Sequence, residues 1–159
     1  KFQHTQNVMI YELGLLYEKG LGVNKDYRKA YELYNKAANK GLAVAQFALG
    51  NVYELGMGNI NINLKRAYNY FKMAAQQKYI PSFVNLGLMY KNGKYVKKDK
   101  MKANMWMFLA SINGDDYGDK NLSRWKENNI LQLLQEDIPK LKKMIKECSY
   151  SNYLNCYYK

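Results

Sequence analysis

The chain has 159 residues, 48% of them hydrophobic, and contains two Cys, two Pro and one His. This length and apolar content exclude an intrinsically disordered or low-complexity chain and predict one domain that folds without dense disulfides. The net charge is +12, but 22 of the 25 basic residues are Lys. Because Arg is the better bidentate phosphate ligand, we expect a solvated lysine surface and keep nucleic-acid binding as an alternative. No apolar run is long enough to predict a membrane span.

The first predicted helix of a repeated unit carries the pattern L-G-x-x-Y-x-x-G. Leu and Tyr four residues apart share one helix face, and the Gly beside the Leu leaves room for a neighbouring helix. The last Gly predicts a left-handed helix cap. The pattern occurs three times, with offsets of 36 and 37 residues, at Leu13–Gly20, Leu49–Gly56 and Leu86–Gly93. We expect its tyrosines, Tyr17, Tyr53 and Tyr90, to be core residues at equivalent buried positions.

A second helix follows each of these patterns, because small and large apolar residues recur at i, i+4 and i+7. Asp26 and Asp99 are predicted to cap two of the second helices. The middle unit has one extra loop residue around 59–63. The recurring residues are Ala30, Tyr34 and Ala37, then Ala67, Phe71 and Ala74, then Ala103, Met107 and Ala110, followed by Gly41, Lys78 and Gly114.

These motifs resemble the Sel-one-like repeat (SLR), a relative of the tetratricopeptide repeat, over about residues 5–114. Lys78, Met107 and Met9 depart from the usual Gly, aromatic and small residue. The resemblance implies an all-α, right-handed α/α superhelical solenoid whose first helices line a concave face. We expect repeats at about 5–41, 42–78 and 79–114 within a single domain, 1–159.

After Gly114 the period ends, and two further helices within 115–148 are predicted to cap the last repeat. The tail, 149–159, resembles that of exported bacterial SLR proteins, where a Cys is followed by Asn-Tyr-x-x-Cys. That resemblance implies a Cys148–Cys156 disulfide and, with it, an oxidising compartment such as the bacterial periplasm. The signal peptide would then lie outside the chain. Two free thiols remain the alternative.

By resemblance to tetratricopeptide units, four positions of each first helix face the groove. Half of these residues are apolar or aromatic, which favours contact with a partner over contact with water. Packing of some of these residues against neighbouring helices or the tail is the alternative. The candidate groove residues are Tyr11, Leu15, Phe47, Asn51, Leu55, Val84 and Leu88, and the remaining positions are Lys19, Glu18, Glu54, Lys91 and Asn92.

Motifs for catalysis are weak in this sequence. Ser123 and Lys126 form an S-x-x-K pattern, but five Ser and 22 Lys produce such a match by chance, and the companion S-D-N and K-T-G motifs are absent. The only His, His4, is distant from both Cys, so no metal site or cofactor is predicted.

The sequence therefore predicts a non-enzymatic protein–protein interaction module. Its sharpest form is a periplasmic immunity-type inhibitor of a secreted antibacterial toxin, because compact exported SLR proteins include such inhibitors. A periplasmic or virulence-related adaptor is the main competitor. A basic nucleic-acid-binding protein and a β-lactam-recognising hydrolase are the alternatives from other classes.

Overall fold

The computed structural model describes residues 2–114, 139–140, 143 and 145–147, and these residues form helices and loops with no strand. The predicted all-α class is confirmed. A short 3₁₀ helix, Met57–Asn59, lies between the third and fourth α-helices. The α-helices within 2–114 are α1 (Phe2–Lys19), α2 (Tyr27–Asn39), α3 (Ala43–Leu55), α4 (Leu64–Gln76), α5 (Ile80–Asn92) and α6 (Lys100–Asn113).

Three predictions fall on the C-terminal part of the chain. The capping helix pair within 115–148 is described only at 139–140, 143 and 145–147, which are helical. The Cys148–Cys156 disulfide and the Ser123–Lys126 pattern lie outside the described residues.

Each second helix begins at a side chain that caps it. The Asp26 and Asp99 carboxylates accept hydrogen bonds from the Lys29 and Lys102 amides, both at 2.9 Å, as predicted. The middle helix uses Asn63, whose Oδ1 accepts from the Arg66 amide at 2.9 Å. Our sequence reading placed Asn63 only in the extended loop and did not identify this cap.

The first helices end at glycines in the left-handed region, which L side chains rarely adopt. Gly20, Gly56 and Gly93 all have φ of 71°, which confirms the predicted caps. Lys78, which stands where Gly41 closes the first repeat, is also left-handed with φ of 61°. The second repeat therefore has the same left-handed backbone at this position as the first, although Lys replaces Gly.

The glycine beside each repeat Leu makes room for the facing helix. A Cβ on Gly50 would lie 2.4 Å from the Phe71 ring, and a Cβ on Gly14 would lie 2.8 Å from the Tyr34 ring. Both distances are shorter than van der Waals contact allows. The predicted role of these glycines in close helix packing is confirmed.

The chain divides into two compact units, Lys1–Gln77 and Lys78–Lys159. In the first unit α2 packs against both α1 and α3, and α3 also packs against α4. Its core includes Tyr34, Ala37 and Leu49, each at most 1% exposed. In the second unit α5 packs against α6, where the buried rings of Phe83 and Trp106 lie 5.7 Å apart. The single-domain assignment stays a prediction.

The expectation that the three repeat tyrosines are equally buried is wrong at one position. Tyr53 and Tyr90 are each 5% exposed, whereas Tyr17 is only half-buried. Among the described helices α1 packs chiefly against α2, while α3 lies between α2 and α4. Tyr17 therefore lacks the second neighbour that covers Tyr53.

Candidate functional site

The predicted groove residues of the first unit lie on one face of α1 and one face of α3. Tyr11 and Leu15 are four residues apart in α1, and Phe47, Asn51 and Leu55 follow the same spacing in α3. The first four are half-buried, and Leu55 is 65% exposed. We call these five residues the first-helix surface.

The two aromatic rings of the first-helix surface pack against buried aromatic rings of the second helices. The Tyr11 ring lies 5.4 Å from the Tyr34 ring, and the Phe47 ring lies 5.6 Å from the Phe71 ring. Tyr34 and Phe71 are equivalent residues of successive repeats and are at most 1% exposed. Each half-buried ring therefore has a fixed inner side and a remaining accessible part.

Glu18, which the sequence assigned to the groove, is engaged with the core instead. Its Oε2 accepts a hydrogen bond of 2.6 Å from the hydroxyl of Tyr34. Burial and this bond to a carboxylate raise the pKa of Tyr34 above its ordinary range. The carboxylate orients a buried phenol, so it is less available to a partner than an exposed Glu.

The second unit supplies two of the predicted groove residues. Leu88 is half-buried, but Val84 is only 1% exposed and belongs to the interior. The neighbouring predicted positions Lys91 and Asn92 are exposed. Val84 is therefore not available at a surface in this structure.

Basic residues of the second helices mostly face solvent, which agrees with the expected solvated lysine surface. Lys29, Lys36 and Lys65 are exposed, and Lys72 is half-buried. The side chain of Arg28 is 87% exposed and lies 3.7 Å from Glu32, one helical turn away. Pairs this exposed contribute little to stability.

Another cluster joins α2, α3 and α4 through Tyr53. The Tyr31 and Tyr53 hydroxyl oxygens are 2.8 Å apart, and Arg66 Nη1 donates to the Tyr53 oxygen at 2.9 Å. The Tyr70 ring is stacked on Tyr53 at 5.8 Å and 5°, and the Tyr31 ring meets Tyr53 edge-on at 6.1 Å and 88°. The hydrogen bond to Tyr53, together with burial, raises the pKa of Tyr31 to about 12.

This cluster borders an open pocket of about 390 Å³, which we call the Arg66 pocket. This pocket was not predicted from the sequence, because Tyr53 was interpreted only as a core residue. The one available signal was an Arg in a chain with 22 Lys and three Arg. The pocket is lined by Tyr31, Asn35, Tyr53, Arg66, Asn69, Tyr70 and Met73.

His4 lines a smaller cavity of about 180 Å³. Its other lining residues include Asn7, Lys40 and Gln77 but no Asp, Glu or Cys. In the part of the chain that the structure describes, no group of three or more His, Cys, Asp or Glu is placed to hold a metal ion. No described helix is both long and apolar enough to cross a membrane.

Comparison with known families assigns the repeats directly. The profile of the Sel1 repeat family matches residues 8–42, 43–79 and 84–115. A crystal structure of a Sel1 repeat protein from Oxalobacter formigenes is similar, with a TM-score of 0.66 and 32% identity, over 77% of this chain and 50% of that one.

A second similar crystal structure is c5321, described as a protective antigen present in uropathogenic Escherichia coli strains displaying an SLR fold. Its TM-score is 0.65 with 33% identity, over 70% of this chain and 24% of that one. The all-α solenoid class is therefore supported by solved structures with recognisable sequence identity.

Two curated relatives have names that describe their roles. The ERAD-associated E3 ubiquitin-protein ligase component HRD3B of Arabidopsis thaliana is 36% identical over 98 residues, which are 61% of this chain. Chitin synthase regulatory factor 2 of Schizosaccharomyces pombe is 25% identical over 166 residues, covering 92% of this chain. The matches span only 15% and 32% of the lengths of these relatives.

Proposed function

Because the chain belongs to the Sel1 repeat family, we propose that it is a non-enzymatic adaptor that binds another protein through the first-helix surface. The two curated relatives are named as a component of an E3 ligase and as a regulatory factor of chitin synthase. The proposal extends that kind of role, acting through another protein, to this chain.

The observation that carries the proposal is that the Tyr11 and Phe47 rings are only half-buried although each packs against a buried ring. Tyr11 and Phe47 pack against buried rings at 5.4 and 5.6 Å, so they lose little conformational freedom when a partner covers them. Aromatic anchors of this kind often dominate binding energy. Leu55, 65% exposed on the same face of α3 as Phe47, extends the apolar area. A helix or extended segment of a partner would cover this surface.

The sharper form of this proposal is an immunity-type inhibitor of a secreted antibacterial toxin, acting in the bacterial periplasm. Its support is the resemblance of the tail to exported bacterial SLR proteins, with the Cys148–Cys156 bridge that this resemblance implies. Intact mass under non-reducing conditions tests the bridge, and two free thiols in protein from the native compartment would remove this support. A secreted toxin encoded by an adjacent gene would favour the inhibitor.

A virulence-related adaptor is the second candidate, and one finding favours it. The similar structure c5321 is described as a protective antigen of uropathogenic strains. Inhibition of a neighbouring toxin in a growth assay would separate the inhibitor from the adaptor.

The first-helix surface is tested by quantitative capture from a lysate of the source cells, comparing the wild-type chain with variants. Tyr11→Ala combined with Phe47→Ala should weaken partner binding by about 2–4 kcal/mol, mainly through faster dissociation. Because those rings also touch the core, Leu55→Lys provides a second variant at an exposed position.

Met9→Lys is the matched control, because Met9 is also 65% exposed but lies on another face of α1. Helical circular dichroism spectra should be unchanged for Leu55→Lys and Met9→Lys. A partner retained by the well-folded Leu55→Lys and lost by Met9→Lys would place binding elsewhere and contradict the proposal.

A further inference from the structure

The Arg66 pocket has a rigid aromatic wall. Tyr53 is 5% exposed and is held by the stacked Tyr70 ring, the edge-on Tyr31 ring and the 2.8 Å contact between the Tyr31 and Tyr53 hydroxyls. Residues from α2, α3 and α4 meet here within the first unit. The wall is therefore fixed before any ligand arrives.

The guanidinium of Arg66 lines the pocket, and only part of its hydrogen-bonding capacity is used by the protein. Nη1 donates to the Tyr53 oxygen at 2.9 Å, and a guanidinium has five N–H donors. The neighbouring tyrosines raise the pKa of Arg66 above its ordinary value, chiefly through the hydrogen bond to Tyr53. Among the described residues, no carboxylate forms an ion pair with Arg66.

The chemistry of the lining is that of a receptor for an anion. Apart from Arg66, it consists of three tyrosines, two asparagines and Met73, so it contains no acidic side chain. Asn35 and Asn69 can donate N–H groups, and Met73, 42% exposed, adds an apolar edge. Arg binds a planar carboxylate through two parallel bonds, which Lys cannot do.

We propose that the Arg66 pocket binds the carboxylate of a peptide segment, either an acidic side chain or a free C-terminus, with Arg66 as the charged ligand. This site lies on a different face of α3 from Phe47, Asn51 and Leu55. It rests on the proposed function only in that a protein partner supplies the carboxylate. Tyr31 is neutral at physiological pH, because even the ordinary pKa of a tyrosine, 10.0, lies well above it, so no phenolate opposes the anion.

Three small peptides test the site by NMR titration of the full chain. The first is an acetylated, amidated tripeptide with a central glutamate, and the second replaces that glutamate by glutamine. The third is acetylated triglycine with a free carboxylate. We expect the glutamate or the triglycine peptide to shift the Arg66 Nε–Hε signal at millimolar concentration. The tighter of the two identifies the source of the carboxylate.

Two substitutions separate the guanidinium geometry from simple charge. Arg66→Gln should weaken carboxylate binding by about tenfold, and Arg66→Lys should weaken it by about threefold because the planar fork is lost. Arg28→Gln is the matched control, since it removes the same charge from an exposed site on α2. It should leave the affinity unchanged. The Arg66→Lys variant keeps the charge and covers the case in which Arg66→Gln perturbs folding.

Three outcomes would overturn the assignment. The first is binding of the glutamine peptide as tight as that of the tighter carboxylate peptide. The others are equal weakening by Arg28→Gln and absence of any shift at Arg66 with either carboxylate. None of these outcomes would affect the first-helix surface, whose test uses Leu55→Lys and Met9→Lys. Failure of the pocket and failure of the proposed function are therefore distinguishable.

Discussion

Two helices with the same motif, α1 and α3, differ in how their motif residues are covered. Leu49 of α3 is fully buried, whereas the equivalent Leu13 of α1 is 41% exposed. Ala45 is also fully buried, and its counterpart Met9 is 65% exposed. The L-G-x-x-Y pattern therefore determines which face of a helix is apolar, while a neighbouring helix determines whether that face is buried.

The neighbour in question is α2. It packs against both α1 and α3. Its residues Tyr34, Ala37 and Ala38 form a buried core together with Leu49 of α3. α3 therefore lies between α2 and α4, and α1 has α2 as its main described neighbour. The same residue type should then carry a different share of stability in the two helices.

Truncation of the motif leucines should show the largest difference. Leu49→Ala should lower the free energy of unfolding by about 2–5 kcal/mol, because it leaves a cavity in a fully packed site. Leu13→Ala should cost about 1 kcal/mol or less, because much of that side chain already contacts water. Urea denaturation measures both, and equal costs would remove the distinction between α1 and α3.

The glycines beside these leucines should show the next largest effect. Gly50→Ala should destabilise by about 2 kcal/mol, since its Cβ would lie 2.4 Å from the Phe71 ring. Gly14→Ala should cost about 1 kcal/mol, since its Cβ would lie 2.8 Å from Tyr34 and α1 can shift more freely. Thermal unfolding with the two single variants tests the order, and a larger loss for Gly14→Ala would reverse it.

Removal of the tyrosine hydroxyls should give a smaller difference. Tyr53→Phe removes the hydrogen bonds that the Tyr53 hydroxyl makes with Tyr31 and Arg66, and it should cost about 1–2 kcal/mol. Tyr17→Phe should have a smaller effect, because Tyr17 of α1 is only half-buried. The two variants are compared in the same urea titration. A larger loss for Tyr17→Phe would contradict the assigned role of Tyr53.

The smallest expected effect concerns the hydrogen bond between the Tyr31 and Tyr53 hydroxyls, which the titration of Tyr31 tests. Its folded pKa, about 12, exceeds the ordinary value of 10.0, so the fold favours the neutral phenol. The associated stability is fully present below about pH 10 and is lost as the pH rises towards 12. In Tyr53→Phe the pKa of Tyr31 should fall towards 10. The NMR shifts of the Tyr31 ring carbons measure this pKa. An unchanged titration midpoint in the variant would show that the hydrogen bond to Tyr53 is not the main cause of the raised pKa.

The helices and their ends were predictable because they depend on local residues. The offsets of 36 and 37 located three helix pairs, and the capping glycines and Asp26 followed from backbone rules. Asn63 was missed because the extra residue in its loop obscured the register with Asp26 and Asp99. Exposure of Tyr17 could not be read from the motif, since it depends on which helices lie beside α1.

The sites were less predictable because they depend on contacts between repeats. Val84 and Phe47 occupy equivalent motif positions, yet Val84 is 1% exposed and Phe47 is half-buried. In the Arg66 pocket, Arg66 and Tyr70 are one helical turn apart in α4, but no sequence spacing connects them to Tyr31 of α2 or Tyr53 of α3. Only the packing of α2, α3 and α4 brings these side chains together.

Photo-crosslinking reports directly which face of the first helices contacts the partner. A benzophenone amino acid is placed at Leu55 or at Met9, which are both 65% exposed. We expect a covalent adduct with the partner from position 55 and none from position 9. An adduct from position 9 alone would show that the partner binds the uncovered face of α1 and would contradict the first-helix surface.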